Sequence, residues 1–551
     1  MSILKKTDNR ILAPAWNKSK EAVYSPELRS LKIEPIASFN LSSLGILYHE
    51  FINKPTISIA IELLSVAFTE NDLKKTKDAA KYILLSNKNM PKTLADFCEK
   101  ILNDNQIDIH EDSDIFQKIR EKRQWLNSNP KDCLCWVDLA RLYMSIGEIK
   151  SAEKAIIVGF SLSNNNRWVT RVTSRFFFNL DDYERSHQIL LKHPSIKTDP
   201  WLLASELAIS SSYGRNTRLW TNAKKAISAG YSKCHLSELN SSIGTLELNN
   251  GAVKKARSYF NESLSFPNGN IFAQAKWAER KADIKGLVPH DILKKHTKAY
   301  EAKYWEAYFN KDMKKALSYA KNWIKDEPFS AEPTIHASFI ASLLDDYKEV
   351  YDISQKGIKI EPNDITLKLN SIFAQFSLEQ LEHQSYQSGY FNDFIKKLEP
   401  FIKNNEEKYK AHAFANLGLV YYRSGNIEQG RVCYQTAIDI FKKLNNPSLA
   451  FAEIINLRES LIANAPWKED VFKYIERVST TGGHWSQPLV SYYMAKLDRI
   501  RDNSMDWRVK LTAELLRNEG ETKKDDSPIK FNLDGNNPTI WSSNKELPKK
   551  K

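Results

Sequence analysis

AFANLGLVYYRSGNIEQGRVCYQTAIDIF, from Ala413 to Phe441, decides the fold. Apolar and small residues recur at helical spacing through Phe414, Leu417, Gly418 and Tyr421, a Gly425 turn follows, and the spacing resumes through Tyr434 and Ala437. The stretch reads as helix, short turn, helix, with small residues where the two helices must touch. The same grammar returns in SSIGTLELNNGAVKKARSYFNESLSFPN, from Ser241 to Asn268. A period of about 34 residues marks a helical solenoid, whose neighbouring units bury a continuous core. Such a chain offers a binding surface rather than a catalytic pocket.

Working outward, CWVDLARLYMSIGEIKSAEKAIIVGF (Cys135 to Phe160) places Trp136, Leu139, Ala140, Tyr143, Gly147, Ala152, Ile156 and Gly159 in the same register. A bulky side chain at Ala140 or Ala152 would push the paired helices apart. Arg167 to Pro200 is degenerate but keeps Phe177, Tyr183 and Leu190, and a further unit opens at Asp199. Pro328 and Pro362 lie one repeat apart, each predicted to stop one helix and open the next unit. The stretch Ile271 to His296 holds Pro289 and reads as an irregular unit, and an insertion is expected around Ser385 to Tyr390. From Asp132 to Pro466 these residues resemble the tetratricopeptide (TPR) pattern. NRWVTRVTSRFFF (Asn166 to Phe178) and DPWLLASELAIS (Asp199 to Ser210) are also similar to a bacterial TPR family of unassigned function. The resemblance implies a protein-binding scaffold and names no reaction.

The expected fold class is all-α: an α-solenoid of TPR-like helix-turn-helix repeats with a helical N-terminal region and a disordered tail. The expected divisions are an irregular arm at 1–34, a helical region at 35–130, repeats at 131–290 and 291–466, capping helices at 467–519 and a disordered tail at 520–551. Helices are predicted around Leu44 to Ile52, Ile57 to Phe68, Leu94 to Leu102 and Ile115 to Leu126, the last capped by Ser113 or Asp114.

At 551 residues the chain exceeds one ordinary core, which suits several domains or a solenoid. It is 42% hydrophobic and 27% charged, with 18 Gly and 20 Pro, which argues against an all-β or low-complexity chain. The net charge of +13 is spread thinly and serves first as a solubilising surface. Five scattered cysteines, Cys98, Cys133, Cys135, Cys234 and Cys433, imply no disulfide framework and read as reduced, buried thiols of a cytoplasmic protein. MSILKKTDNR lacks the apolar core of a signal peptide, and Ile57 to Phe68 is too short to span a bilayer, so no membrane partner is expected.

Catalytic signatures are sparse. The chain has no phosphate-binding Gly-Lys dipeptide, no Gly-x-Gly-x-x-Gly and no Gly-x-Ser-x-Gly. His49-Glu50 is followed by Asn53 where a zinc helix needs its second histidine. The acidic run Asp104, Asp108, Glu111, Asp112, Asp114 lacks the glycine and terminal glutamate of a calcium loop and reads as a solvated linker. Gly482-Gly483-His484-Trp485 reads as a turn between helices. The expectation is no catalytic residue, no metal and no cofactor.

The resemblance implies that the first helix of each unit lines a groove. The residues not used for helix pairing are then the candidate partner-binding set: Arg141, Arg171, Arg175, Trp305, Tyr308, His336, Asn416, Tyr422 and Arg423. Arginines with aromatics are common anchors of protein interfaces. The expected function is a scaffold or adaptor binding a protein or peptide there, as an accessory subunit of a bacterial multi-protein system such as a defence or toxin module. The second reading is a nucleic-acid-binding helical solenoid, resting on the net charge and the arginine–aromatic mix.

Overall fold

A computed structural model describes residues 10, 12–22, 25–31, 43–69, 72–86, 92–103 and 115–479, with breaks at 213, 215–216, 283, 285, 311, 383–387 and 447, together with 530–532 and 539–541. Apart from one short strand pair, its regular structure is helical. After two short turns at Ser19–Ala22 and Pro26–Leu28 come four helices: α1 (Ser43–Asn53), α2 (Ile57–Thr69), α3 (Leu73–Ser86) and α4 (Lys92–Asn103). Their apolar faces close a core of their own around Phe51, Leu63, Leu64, Ala67, Ile83 and Ile101. Helix α5 (Ile115–Ser128) leads into the repeats.

Ten helix pairs follow, each a helix A and a helix B. They are α6 (Cys133–Ser145) with α7 (Ile149–Leu162), α8 (Arg167–Asn179) with α9 (Tyr183–Leu191), α10 (Pro200–Ser212) with α11 (Trp220–Ile227), and α12 (Lys233–Asn249) with α13 (Val253–Ser263). Next come α14 (Gly269–Lys281) with α15 (His290–Lys295), α16 (Tyr300–Phe309) with α17 (Met313–Asp326), and α18 (Glu332–Leu343) with α19 (Tyr347–Ile360). The last are α20 (Ile365–Glu382) with α21 (Ser388–Ile402), α22 (Glu407–Arg423) with α23 (Ile427–Lys443), and α24 (Ser448–Ile462) with α25 (Lys468–Ser479). The irregular unit expected near Pro289 is the pair whose second helix, α15, spans only His290–Lys295.

Local chemistry sets these boundaries. Asp132, Asn166, Asp182, Asn268, Asp346 and Asn426 each accept a hydrogen bond from a backbone N–H in the first turn of the helix that follows. Between A and B the chain turns through a left-handed residue: Gly147, Gly251 and Gly425 at φ 79°, 80° and 85°, and Asp181 and Asp345 at 57° and 58°. Glycine takes that conformation at no steric cost and aspartate tolerates it. Close helix approach is equally specific. A Cβ on Gly418 would sit 2.6 Å from the Tyr434 ring, and one on Gly430 2.7 Å from the Tyr422 ring. Each helix of the α22–α23 pair therefore offers a glycine to the other's tyrosine.

The described residues fall into two compact units. The first takes in those of Met1–Lys303 and Lys325–Ser330, and the second those of Tyr304–Ile324 and Ala331–Lys551. In the first, a core of Val137, Ala140, Ile156, Trp168, Val172 and Phe176 also contains Trp16 from the N-terminal segment. In the second, Ala341, Val350 and Ala374 tie α18, α19 and α20 together, and Ala411, Ala437, Phe441 and Ala452 tie α22, α23 and α24.

Within 520–551 the described residues are two strands, β1 (Lys530–Asn532) and β2 (Thr539–Trp541), paired antiparallel with Phe531 opposite Ile540. The remainder of that expected disordered tail lies outside the described residues. So do the Ser113 and Asp114 caps, the acidic run from Asp104, the Gly482–Trp485 turn and the part of the expected capping helices beyond Ser479. Cys98, Cys135 and Cys433 are buried, whereas Cys133 and Cys234 are half-buried, which corrects the expectation of five buried thiols; all five are free thiols. Among the described residues no helix is long and apolar enough to cross a membrane.

Candidate functional site

In the first unit the helices A of the repeats are met by the chain's own N-terminal residues. The described residues of the expected irregular arm, 10, 12–22 and 25–31, meet the A helices and are without regular structure except for a helical turn at Ser19–Ala22 and a 3-10 turn at Pro26–Leu28. Arg10 makes a forked ion pair with Glu301 of α16, both contacts at 2.7 Å. The same guanidinium donates to Gln274 at 2.6 Å and to Asn270 at 3.0 Å, both on α14. Such planar, two-pronged recognition fixes direction as well as attraction. Asn270 and Gln274 donate back to the carbonyls of Ala13 and Arg10 at 2.8 and 2.9 Å.

Leu12, Ala13, Pro14 and Trp16 are buried. The Trp16 ring lies 4.8 Å from Phe329 and edge-on at 6.1 Å from Phe176. Ser19 donates from its backbone N–H and its hydroxyl to Asp138 of α6, at 2.8 and 2.7 Å. Lys298 reaches Glu21 at 2.9 Å. Further on, the Glu27 carboxylate meets Arg171 at 2.5 Å, and the carbonyls of Glu27 and Arg29 accept from Arg167.

The expected arginines are central to this arrangement. Arg171 is 1% exposed and pairs with Glu238 of α12 as well as Glu27, while its Nε donates to Ser205 of α10 at 2.8 Å. Arg141 donates to the Trp16 carbonyl at 3.2 Å and to the Asp326 carbonyl, at the C-terminal end of α17, at 2.7 Å. A cation at a helix C-terminus is favoured by the helix dipole. Arg175 faces Glu327 at 3.6 Å and lies 5.9 Å from the Phe329 ring. One guanidinium thus sits between two buried carboxylates, Glu27 and Glu238. Burial, with the Glu238 charge adding to it and Arg171 opposing it, pushes Glu27 up to about 7. Burial likewise raises Asp326 to about 6.

In the second unit the expected residues also have internal partners. His336 is buried among Tyr304, Trp305 and Trp323, with ring centroids 5.2, 5.0 and 5.8 Å away, and the Tyr304 hydroxyl lies 3.2 Å from its Nδ1. Trp305 and Tyr308 are half-buried beside it, and burial pushes the Tyr308 phenol up to about 12. Asn416 donates to the Leu369 carbonyl at 3.3 Å. Tyr422 is buried, donating to Asn456 at 3.1 Å and accepting from Trp467 at 3.2 Å. Arg423 and Arg458 converge on Glu459, at 3.0 and 2.8 Å. Burial works to raise the Glu459 carboxyl, and the two arginines overcome it, holding it below its ordinary range.

Arg175, Trp305, Tyr308, Asn416 and Arg423 are half-buried. Arg141, Arg171, His336 and Tyr422 are buried by the protein's own groups. The residues that sequence reasoning missed are Arg10, Trp16 and Glu27. Their only signal was the apolar stretch Ile11–Trp16 inside an otherwise polar arm. Among the described residues no cluster of three or more His, Cys, Asp or Glu is placed to hold a metal.

Residues 411–443 match the tetratricopeptide repeat family model. No curated protein matches the chain. Among solved structures, the human IFIT1 dimer with PPP-AAAA is 13% identical, covering 73% of this chain and 95% of its own, with a TM-score of 0.27. The APC/C hetero-tetramer Cut9-Hcn1 is 13% identical, covering 79% of this chain and 96% of its own, also with a TM-score of 0.27. At that similarity neither guides the reading of this chain's groove.

Proposed function

We propose that this chain, a member of the tetratricopeptide repeat superfamily, is a scaffold whose first unit takes up an extended protein segment along its A helices. The observation that carries this reading is the arm itself: its Arg10, Ser19 and Glu27 are held by side chains from α6, α8, α14 and α16. Arginine, tryptophan and forked ion pairs are the usual currency of peptide recognition. The guanidiniums of Arg141, Arg171 and Arg175 already face carboxylate or carbonyl oxygens. That supports a protein segment over a phosphate backbone, although the net charge of +13 keeps nucleic acid as the second reading.

We place the protein in the cytoplasm of a bacterium, as a non-catalytic accessory subunit of a multi-protein system such as a defence or toxin module. The free thiols support a reducing compartment. The test is affinity capture from the native host. A stoichiometric protein partner is expected with the wild-type chain, and Arg175→Glu should reduce its recovery at least tenfold. Unchanged recovery would remove the first-unit groove from the reading. Trp305→Ala tests the second unit in the same way. In a mobility-shift assay at low salt, neither DNA nor RNA should bind; binding that weakens steeply with salt would promote the second reading.

A further inference from the structure

We infer that the arm, in its described residues 10, 12–22 and 25–31, is an exchangeable internal ligand, and that the groove's external partner is a protein segment carrying an arginine, an indole and a carboxylate at the spacing of Arg10, Trp16 and Glu27. This rests on the reading of the first unit as a peptide-binding groove. Two features support exchange rather than a permanent structural strap.

First, much of the groove's polar chemistry is complete without the arm. Arg171 keeps Glu238 and Ser205, Arg167 keeps Asp199 at 2.5 Å, Asp138 keeps Lys122 at 2.9 Å, and Gln274 keeps Thr245 at 2.9 Å. Arg141 keeps the Asp326 carbonyl. An emptied groove therefore leaves those charges paired, which is the condition for a preformed receptor. Second, the arm brings a surplus. Glu27 adds a second buried carboxylate to a guanidinium that already has one. The docked arm is thus bound with an internal opposition that a structural strut would not need.

The groove also reads its occupant at three separated points. Glu301, Gln274 and Asn270 accept a guanidinium. Phe176 and Phe329 flank an indole. Arg171 meets a carboxyl group. Between the first two lie small and apolar residues, Leu12, Ala13 and Pro14, all buried, which excludes a bulky polar insert. Because the arm is tethered, it competes at an effective concentration of about millimolar order, so a soluble segment gains access only when the arm is weakened or the segment binds more tightly.

The test uses the full chain and one probe, a fluorescein-labelled synthetic peptide of residues 10–31. By fluorescence anisotropy the peptide should bind the full-length Trp16→Ala variant at least tenfold more tightly than the wild-type chain, whose groove is filled. A peptide carrying Trp16→Ala should lose that binding. Full-length Glu27→Lys, which sets a cation against Arg171, gives a second opened variant, and circular dichroism confirms that each variant keeps its helices. Equal binding to wild type and variants, or no binding to either folded variant, overturns the inference. Failure here is separable from failure of the proposed function. A partner captured equally by wild type and Trp16→Ala, yet lost with Arg175→Glu, keeps the groove and discards the internal ligand.

Discussion

At the scale of single residues, eroded repeats keep their backbone by changing its chemistry. Gly147, Gly251 and Gly425 and the aspartates 181 and 345 all hold the left-handed turn between helices A and B. At Asp181 and Asp345 the side chain also accepts from a tyrosine two residues on, Tyr183 at 2.8 Å and Tyr347 at 3.1 Å. Asp181→Ala should therefore lower stability by about 1–2 kcal/mol in a denaturant titration, and Asp181→Gly by less. The reciprocal glycines are less forgiving. Gly418→Leu drives a side chain into the Tyr434 ring and should cost about 3 kcal/mol. Glu459 answers to two arginines at once, so Glu459→Gln should cost about 3–5 kcal/mol. Its carboxyl is held below the ordinary range when folded. The stability it contributes is present above the unfolded value near 4.5 and is lost as pH falls below that, so a wild-type acid unfolding curve should be steeper than that of Glu459→Gln.

At the scale of elements, the helix pairs were readable because each needs small residues at fixed places, as in Ala140 with Ala152 and Gly418 with Ala437. All four are buried. The Asp181 and Asp345 turns were harder to read, since aspartate is an ordinary surface residue until its φ is known. The candidate groove was legible only in outline. Helical phase marks Arg141, Arg171 and Arg175 as unused in helix pairing, but no periodicity reports that a distant arm meets them. Arg171 illustrates the limit: its neighbours in sequence are Thr170 and Val172, while its partners are Glu27, Ser205 and Glu238. The arm also has its own pH response. Glu27, raised to about 7 by burial, with Glu238 reinforcing and Arg171 and Arg167 opposing, docks more readily when protonated. Its contribution is full below the unfolded value near 4.5 and is lost as pH rises through about 7. Limited proteolysis of the arm should accelerate between pH 6 and pH 8, assayed over roughly that range, and Glu27→Gln should flatten the response.

At the scale of the whole molecule, stability in stacked repeats is a sum of local terms and nearest-neighbour terms. The two compact units sharpen that expectation. Gly418→Leu belongs to the second unit, so hydrogen exchange should rise in α22 and α23 while the amides of α8 and α12 keep their protection. A uniform rise across both units would mean that the chain unfolds as a single cooperative body.

The arm has a further consequence for how the protein is made. Arg10 and its partner Glu301 are 291 positions apart, and Trp16 meets Phe329 later still. At a synthesis rate of roughly 5–20 residues per second, the ribosome presents the arm some tens of seconds before it completes the surface that receives it. Throughout that interval the arm waits for contacts that lie some three hundred positions further along the chain. A ribosome-associated chaperone, or a binding partner already present, therefore meets the indole of Trp16 before its own groove does.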